Sequence, residues 1–192
     1  AELLSVDMSL SDSDFSNYAM KVRKYEHYPI YFNNVPRTME YIIDANEKIV
    51  EESPDSIIIN VYDHSRLIRG SEDSELKKLN SISKGCMLLQ SKFNVVNVLL
   101  SQLNRNIEQE HRARNQYQPL LTDLFGGASI GQDAHVVMIL NRPNDLYGIT
   151  EKYCDEDPLG LMAVHIEKNR DGMLGMIAYE ADMSTFNITE RT

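Results

Sequence analysis

Two short apolar runs constrain this chain more than any other feature. Ile57-Ile58-Ile59-Asn60-Val61-Tyr62-Asp63 and Val95-Val96-Asn97-Val98-Leu99-Leu100-Ser101 are rich in β-branched residues, and each ends in a polar group. Such runs read as parallel strands buried on both faces. Between them, Glu72–Asn94 carries Leu76, Leu79, Ile82, Cys86, Leu89 and Phe93 at helical spacing. Strand, helix and strand in that order predict a crossover unit with parallel strands.

The rest of the chain extends the pattern. Asp12 or Ser13 would cap a short helix through Phe15, Tyr18, Ala19 and Val22. Pro29-Ile30-Tyr31-Phe32 reads as a strand. Turn residues Asn33–Pro36 then launch an amphipathic helix through Met39, Ile42, Ile43, Asn46, Ile49 and Val50 to about Glu52. After the second run, a polar, basic segment reaches about Gln118. A short helix over Pro119–Phe125 and a flexible loop at Gly126-Gly127-Ala128 follow. Further strands are expected at Ala134–Leu140, Leu161–Glu167 and Met176–Tyr179, the last two joined by the turn Asn169–Gly172. Alternation early and clustered strands late predict an α/β domain with a mostly parallel sheet.

Composition narrows the class. A length of 192 residues suits one domain, divided here into a polar helical leading segment, 1–28, and a core, 29–192. The net charge of −10 argues against coating nucleic acid non-specifically, but leaves room for a local basic stripe. No apolar stretch approaches the roughly 20 residues that span a bilayer, so no membrane partner is expected. No basic leader precedes an apolar run, which predicts a cytoplasmic location. Cys86 and Cys154 cannot build a disulfide framework, and the five histidines show no metal-ligand spacing.

Ligands of parallel sheets bind beyond the carboxyl ends of the strands. Asp63 stands at one such end. An acid there holds a magnesium ion beside nucleotide phosphates in the Walker B arrangement, or it simply caps the next helix. Gln102 stands at the next, where an amide can touch a γ-phosphate or its attacking water, or bond its own loop. Lys168 and Arg170 are two apart in a turn between strands, so they point the same way. They would reach a phosphate on a neighbouring subunit, or remain a solvated pair. The cluster Arg105, His111, Arg112 and Arg114 is broken by Glu108 and Glu110 and reads first as a solvated face, with a nucleic-acid contact as the alternative.

In this order and spacing, the segments resemble one family. Ser56–Ile68 is similar to the Walker B strand of DnaB-like replicative helicases. Leu-Ser-Gln-Leu-Asn-Arg, at Leu100–Arg105, resembles that family's sensor strand. Leu121–Val137 resembles its DNA-loop stretch, matching around Asp123, Gln132 and Asp133. Lys168–Gly172 is similar to its Lys-Gln-Arg-Asn-Gly turn, and Pro29–Asn33 to its Pro-Leu-Tyr-Ile-Asp segment. The resemblance covers about residues 9–190. It implies a RecA-like fold and a homo-hexameric ring that couples ATP hydrolysis, with Mg2+, to translocation on single-stranded DNA and duplex unwinding. Primase or a helicase loader would be further partners. It also implies that Asp63 serves the magnesium ion and Gln102 senses the γ-phosphate. Lys168 and Arg170 would act on the adjacent subunit's nucleotide. Phe125, Gly126, Gly127, Ala128 and Arg105 would lie near DNA.

Three departures qualify this. No Gly-x-x-x-x-Gly-Lys-Ser/Thr occurs, since none of the nine glycines precedes a lysine. The expectation is a motor domain lacking its phosphate loop and inactive alone. The alternative is a degenerate RecA-like structural or interaction module of a replication complex. A recombination or clock-type relative is a third option. Asp7 in Ser5–Met8 stands where the family's catalytic Glu would be, unless Leu10–Phe15 sets a different register. Phe125 replaces a phosphate-binding Arg, and would stack on a base or belong to the core.

Overall fold

The computed structural model describes residues 11–65, 68–70, 74–125 and 127–191. Helix α1, Asp12–Arg23, starts at the N-cap Ser11, whose hydroxyl accepts from the Asp14 amide while the Asp14 carboxylate accepts from the Ser11 amide. It buries no residue. Pro29–Phe32 is not a strand: it is an irregular, exposed segment, with Phe32 92% accessible. A run this short needs a hydrogen-bonded neighbour to hold it extended, and it has none among the described residues.

Helix α2, Met39–Glu52, is capped by the Thr38 hydroxyl and ends where the sequence pattern does. Strand β1, Ile58–Tyr62, and strand β2, Val95–Leu99, form a two-stranded parallel sheet in the register Ile58↔Val95 to Tyr62↔Leu99. Helix α3, Glu75–Lys92, capped by Ser74, is the crossover. The expected start at Glu72 lies outside the described residues.

Burial corrects the two-sided reading of β1 and β2. Ile58, Tyr62 and Val95 are buried with Met39, Leu79, Ile82 and Leu89 in the main core. Ile57, Ile59, Val61, Val96, Val98 and Leu100 are exposed. Successive side chains alternate faces, and α2 and α3 cover only one of them. Leu76 also stays exposed, because it precedes the part of α3 that meets the sheet.

The covered face is not wholly apolar. Asn60 and Asn97 are register partners, and the Asn60 side chain donates to Asn97 at 3.2 Å and to Asn46 at 3.0 Å. The Tyr62 hydroxyl donates to Asn97 at 3.0 Å, and Asn97 donates to the Cys86 carbonyl at 3.1 Å. Burial pushes the Tyr62 hydroxyl up and the Cys86 thiol up to about 11. Opposed amides pin register, since a one-residue slip would strand each of them on the wrong face.

The second half is a four-stranded antiparallel sheet, ordered β3-β4-β5-β6. Its strands are β3 (Val136–Asn141), β4 (Leu161–Asn169), β5 (Gly175–Asp182) and β6 (Asn187–Glu190). The basic segment folds as two 3-10 helices, Arg105–Glu108 and Glu110–Asn115. The helix expected over Pro119–Phe125 shortens to a 3-10 turn, Leu121–Asp123. The expected loop at Gly127 and Ala128 is instead the start of helix α4, Gly127–Asp133, held by Ile130 in the main core; Gly126 is outside the described residues. Helix α5, Pro143–Tyr147, follows β3 and ends at Gly148, whose φ of +64° is left-handed.

Candidate functional site

The parallel ladder puts two candidate residues at one edge. Asp63 follows Tyr62, the last residue of β1, and is exposed. The Leu100 amide donates to the Tyr62 carbonyl at 3.1 Å, and the Ser65 amide donates to the Leu100 carbonyl at 3.0 Å. The chain beyond β1 is thus stitched to the end of β2, two residues before Gln102. Beside Asp63, the His64 Nδ1 is buried with no hydrogen-bond partner among the described residues. An exposed carboxylate at a carboxyl edge suits a hydrated divalent cation. The phosphate cradle that would complete such a site is not within these 192 residues.

Gln102 is tied through its backbone to the segment that precedes α4. Its carbonyl accepts from the Phe125 amide at 3.0 Å, and Leu103 bridges Leu124 in antiparallel fashion. The Asn104 amide donates to the Asp123 carbonyl at 2.7 Å, and the Asn104 side chain donates to the Thr122 carbonyl at 3.0 Å. Phe125 is partly buried against the main core, as the core reading of that residue expects.

Arg112 anchors this zipper. It is buried and donates both terminal nitrogens to the Asp123 carboxylate, at 3.0 and 2.9 Å. Asp123, 2% exposed, also accepts from the Leu120 amide at 2.8 Å. Fork-to-carboxylate pairing fixes two angles as well as a distance, so it orients the 3-10 turn rather than merely attracting it. The sequence reading placed Arg112 on a solvated face. Nothing local distinguishes it from Arg114; only the fold brings Asp123 beneath it.

Lys168 and Arg170 do point the same way, and both reach the C-terminus of α4. The Lys168 ammonium donates to the carbonyls of Gly131 at 2.8 Å and Gln132 at 2.6 Å. The Arg170 guanidinium donates to Gln132 at 3.1 Å and Asp133 at 3.3 Å. These are the carbonyls a helix leaves without partners, at the negative end of its dipole. Ser83 of α3 donates to the Asp133 carboxylate at 2.6 Å, which keeps that acid away from the two cations. A β-bulge sets the geometry: Val137 pairs Lys168 but Met138 pairs Ile166, so Glu167 is the extra residue. The Glu167 carboxyl is raised, chiefly by burial, while the Leu121 amide bonded to it acts the other way.

Arg105 is placed elsewhere, at the start of its 3-10 helix. It lines a cleft with Ile107, Tyr117 and Tyr147, whose two tyrosine rings stack at 4.5 Å. Asp7 and Gly126 lie outside the described residues. Gly127 and Ala128 form the first turn of α4. Asp63 and Gln102 therefore share an edge, Gln102 and Phe125 share a ladder, and Lys168 and Arg170 share a helix end.

Known proteins resemble this chain over most of its length. The family described as DnaB-like helicase C terminal domain matches residues 3–188. The replicative DNA helicase DnaB of Mycobacterium intracellulare is 29% identical over 182 residues, 92% of this chain and 30% of that protein. The Geobacillus stearothermophilus replicative DNA helicase DnaB is 27% identical, across 88% of this chain and 35% of that protein. The chain spans about a third of the length of the curated relatives it matches. Among solved structures, one described as an ATPase domain superposes with a TM-score of 0.83 at 21% identity, covering 100% of this chain and 65% of that one. A DnaB-like replicative helicase, solved in a study of its interactions with primase, gives 0.82 at 21% identity, covering 100% and 45%. These likenesses establish the fold, a RecA-like helicase ATPase fold.

Proposed function

Since this chain belongs to the family of DnaB-like helicase C-terminal domains, we propose that it is the motor portion of a homo-hexameric replicative helicase that moves on single-stranded DNA. ATP with Mg2+ would supply the phosphoryl transfer that drives it, a reaction that needs positioning and charge neutralisation more than covalent catalysis. Asp63 would hold the ion through its water shell. Gln102 would face the terminal phosphate. Lys168 and Arg170 would serve the adjacent protomer's nucleotide, which makes turnover depend on assembly.

One observation carries this reading: the carbonyl of Gln102 is bonded to the amide of Phe125. The residue that would sense nucleotide is thereby joined to the segment that would meet DNA. Phe125 anchors that segment in the core, and the Gly126–Ala128 stretch next to it would carry the DNA contacts. Asp7 would be the catalytic acid in the register that aligns Ser5–Met8 with the family.

The test is a longer protein carrying a phosphate loop ahead of Ala1. Its ATPase should be stimulated by single-stranded DNA, and Asp63→Asn should lower kcat by about 10²–10³-fold. The 192-residue chain alone should be inactive. A longer protein with no DNA-stimulated ATPase overturns the motor reading. It would leave the second reading, an interaction module of a replication complex.

A further inference from the structure

Lys168 and Arg170 are not idle in this protomer. Between them they donate to three successive carbonyls, those of Gly131, Gln132 and Asp133. Among the described residues neither cation is in an ion pair, because the nearby Asp133 carboxylate is bonded to Ser83 instead. Two cations held only by neutral carbonyls are in a weak resting place. With a carbonyl these donors meet only a partial charge, whereas with a phosphate they meet a full opposite charge and an oxygen geometry that the guanidinium fork matches. A phosphate brought within reach of the β4–β5 turn therefore outcompetes the helix end.

We propose that Lys168 and Arg170 are positioning residues for α4, and that they exchange the α4 carbonyls for the phosphates of the neighbouring protomer's nucleotide. The consequence is mechanical. Helix α4 has seven residues, too few to stand without tertiary support or caps. Its other ties among the described residues include Ile130 in the core, the Ser83–Asp133 bond and packing against α3 and the Leu121–Asp123 turn, none of which holds the last carbonyls of the helix. When the cations leave, the last turn of α4 loosens, and with it the segment running back to Phe125 and Gln102. Nucleotide held next door would thereby reset this protomer's own loop.

The inference rests on the helicase reading, and hydrogen exchange separates the two. The full-length assembled protein is followed by mass spectrometry over peptides covering 127–135, with peptides from α3 and 161–182 as controls for folding. Without nucleotide, Lys168→Ala combined with Arg170→Ala should speed exchange in 127–135 by about tenfold while the controls stay unchanged. Lys168→Arg should keep the protection. A nonhydrolysable ATP analogue should produce the same acceleration in the wild-type protein, and no further change in the double variant. Single-stranded DNA without nucleotide should not produce it. A merely structural cap predicts no response to the analogue. Bound analogue with unchanged exchange in 127–135 overturns the proposal, as does acceleration by DNA alone. An assembly that binds no analogue overturns the helicase reading, and the proposal with it.

Discussion

Replacing Asp123 by Ala removes the acceptor that the Arg112 fork needs. The carboxylate receives two bonds from Arg112, at 3.0 and 2.9 Å, and one from the Leu120 amide at 2.8 Å. Side-chain exposures are 10% for Arg112 and 2% for Asp123, so water does not replace the lost partner cheaply. Arg112 Nε already lacks a partner among the described residues, and only the Gln118 carbonyl would still receive the guanidinium. Breaking a buried pair from one side costs about 3–5 kcal/mol, mostly because the remaining charge is stranded. With a urea slope of about 2 kcal/mol/M, the midpoint should fall by about 2 M.

Urea unfolding of the 192-residue chain, followed by far-UV circular dichroism, measures this. The double variant Arg112→Met with Asp123→Leu should recover most of the loss, because nothing charged is then left buried. A drop below about 1 kcal/mol for Asp123→Ala would mean that water reaches the pair. It would also remove the reason for treating the pair as the anchor of the 102–125 zipper. A double variant as unstable as the single one would refute the stranded-charge argument itself.

Other outcomes follow from the same structure. Asn97→Leu should cost about 2–4 kcal/mol in thermal unfolding, because Tyr62, Asn60 and the Cys86 carbonyl each lose a buried partner. His165 is buried, bonded to the Tyr153 hydroxyl at 2.9 Å, and burial lowers its pKa. The unfolded chain binds its proton first, so this stability is complete above about pH 6.5 and declines as pH falls from there toward the lower folded pKa. The stability difference between wild type and His165→Gln, measured against pH, should shrink over that window. Glu167, raised by burial, acts with the opposite sign in a more acid window, which is why the difference rather than the total is measured. Ile59 and Val98 lie on the open sheet face, so Ile59→Thr with Val98→Thr should reduce dye binding and self-association of the chain without lowering its unfolding midpoint.

How much of this was legible beforehand depended on the range of the interaction. Helix α2 matched its pattern closely because Thr38 and the 3.6-residue repeat are local signals. Parallel β1 and β2 were readable because two apolar runs flank a helical repeat. Their open outer face was not, since burial is a property of what else packs there, and apolar sequence alone cannot distinguish one covered face from two. Pro29–Phe32 has strand composition but no neighbour. Helix α4 begins with two residues, Gly127 and Ala128, that read as loop, and it is held by residues some 40 positions downstream. Arg112 and Asp123 are each ordinary in sequence; their meaning is the contact.

These long-range contacts form one connected path. Gln102 is bonded to Phe125, Asn104 to Asp123, Asp123 to Arg112, and the segment past Phe125 runs into α4, which ends on Lys168 and Arg170. Contiguity alone does not establish that one end feels the other, because coupling is a free energy and must be measured as one. The path does state which measurement decides. If Gln102 and Arg170 communicate through it, the effects of Gln102→Ala and Arg170→Ala on exchange in 127–135 should not add. Asp123→Ala, which removes the brace beside the Gln102–Phe125 link, should make them additive. Additivity in the otherwise unaltered protein would mean that the two ends act on α4 independently, and that the bonds between them serve stability alone.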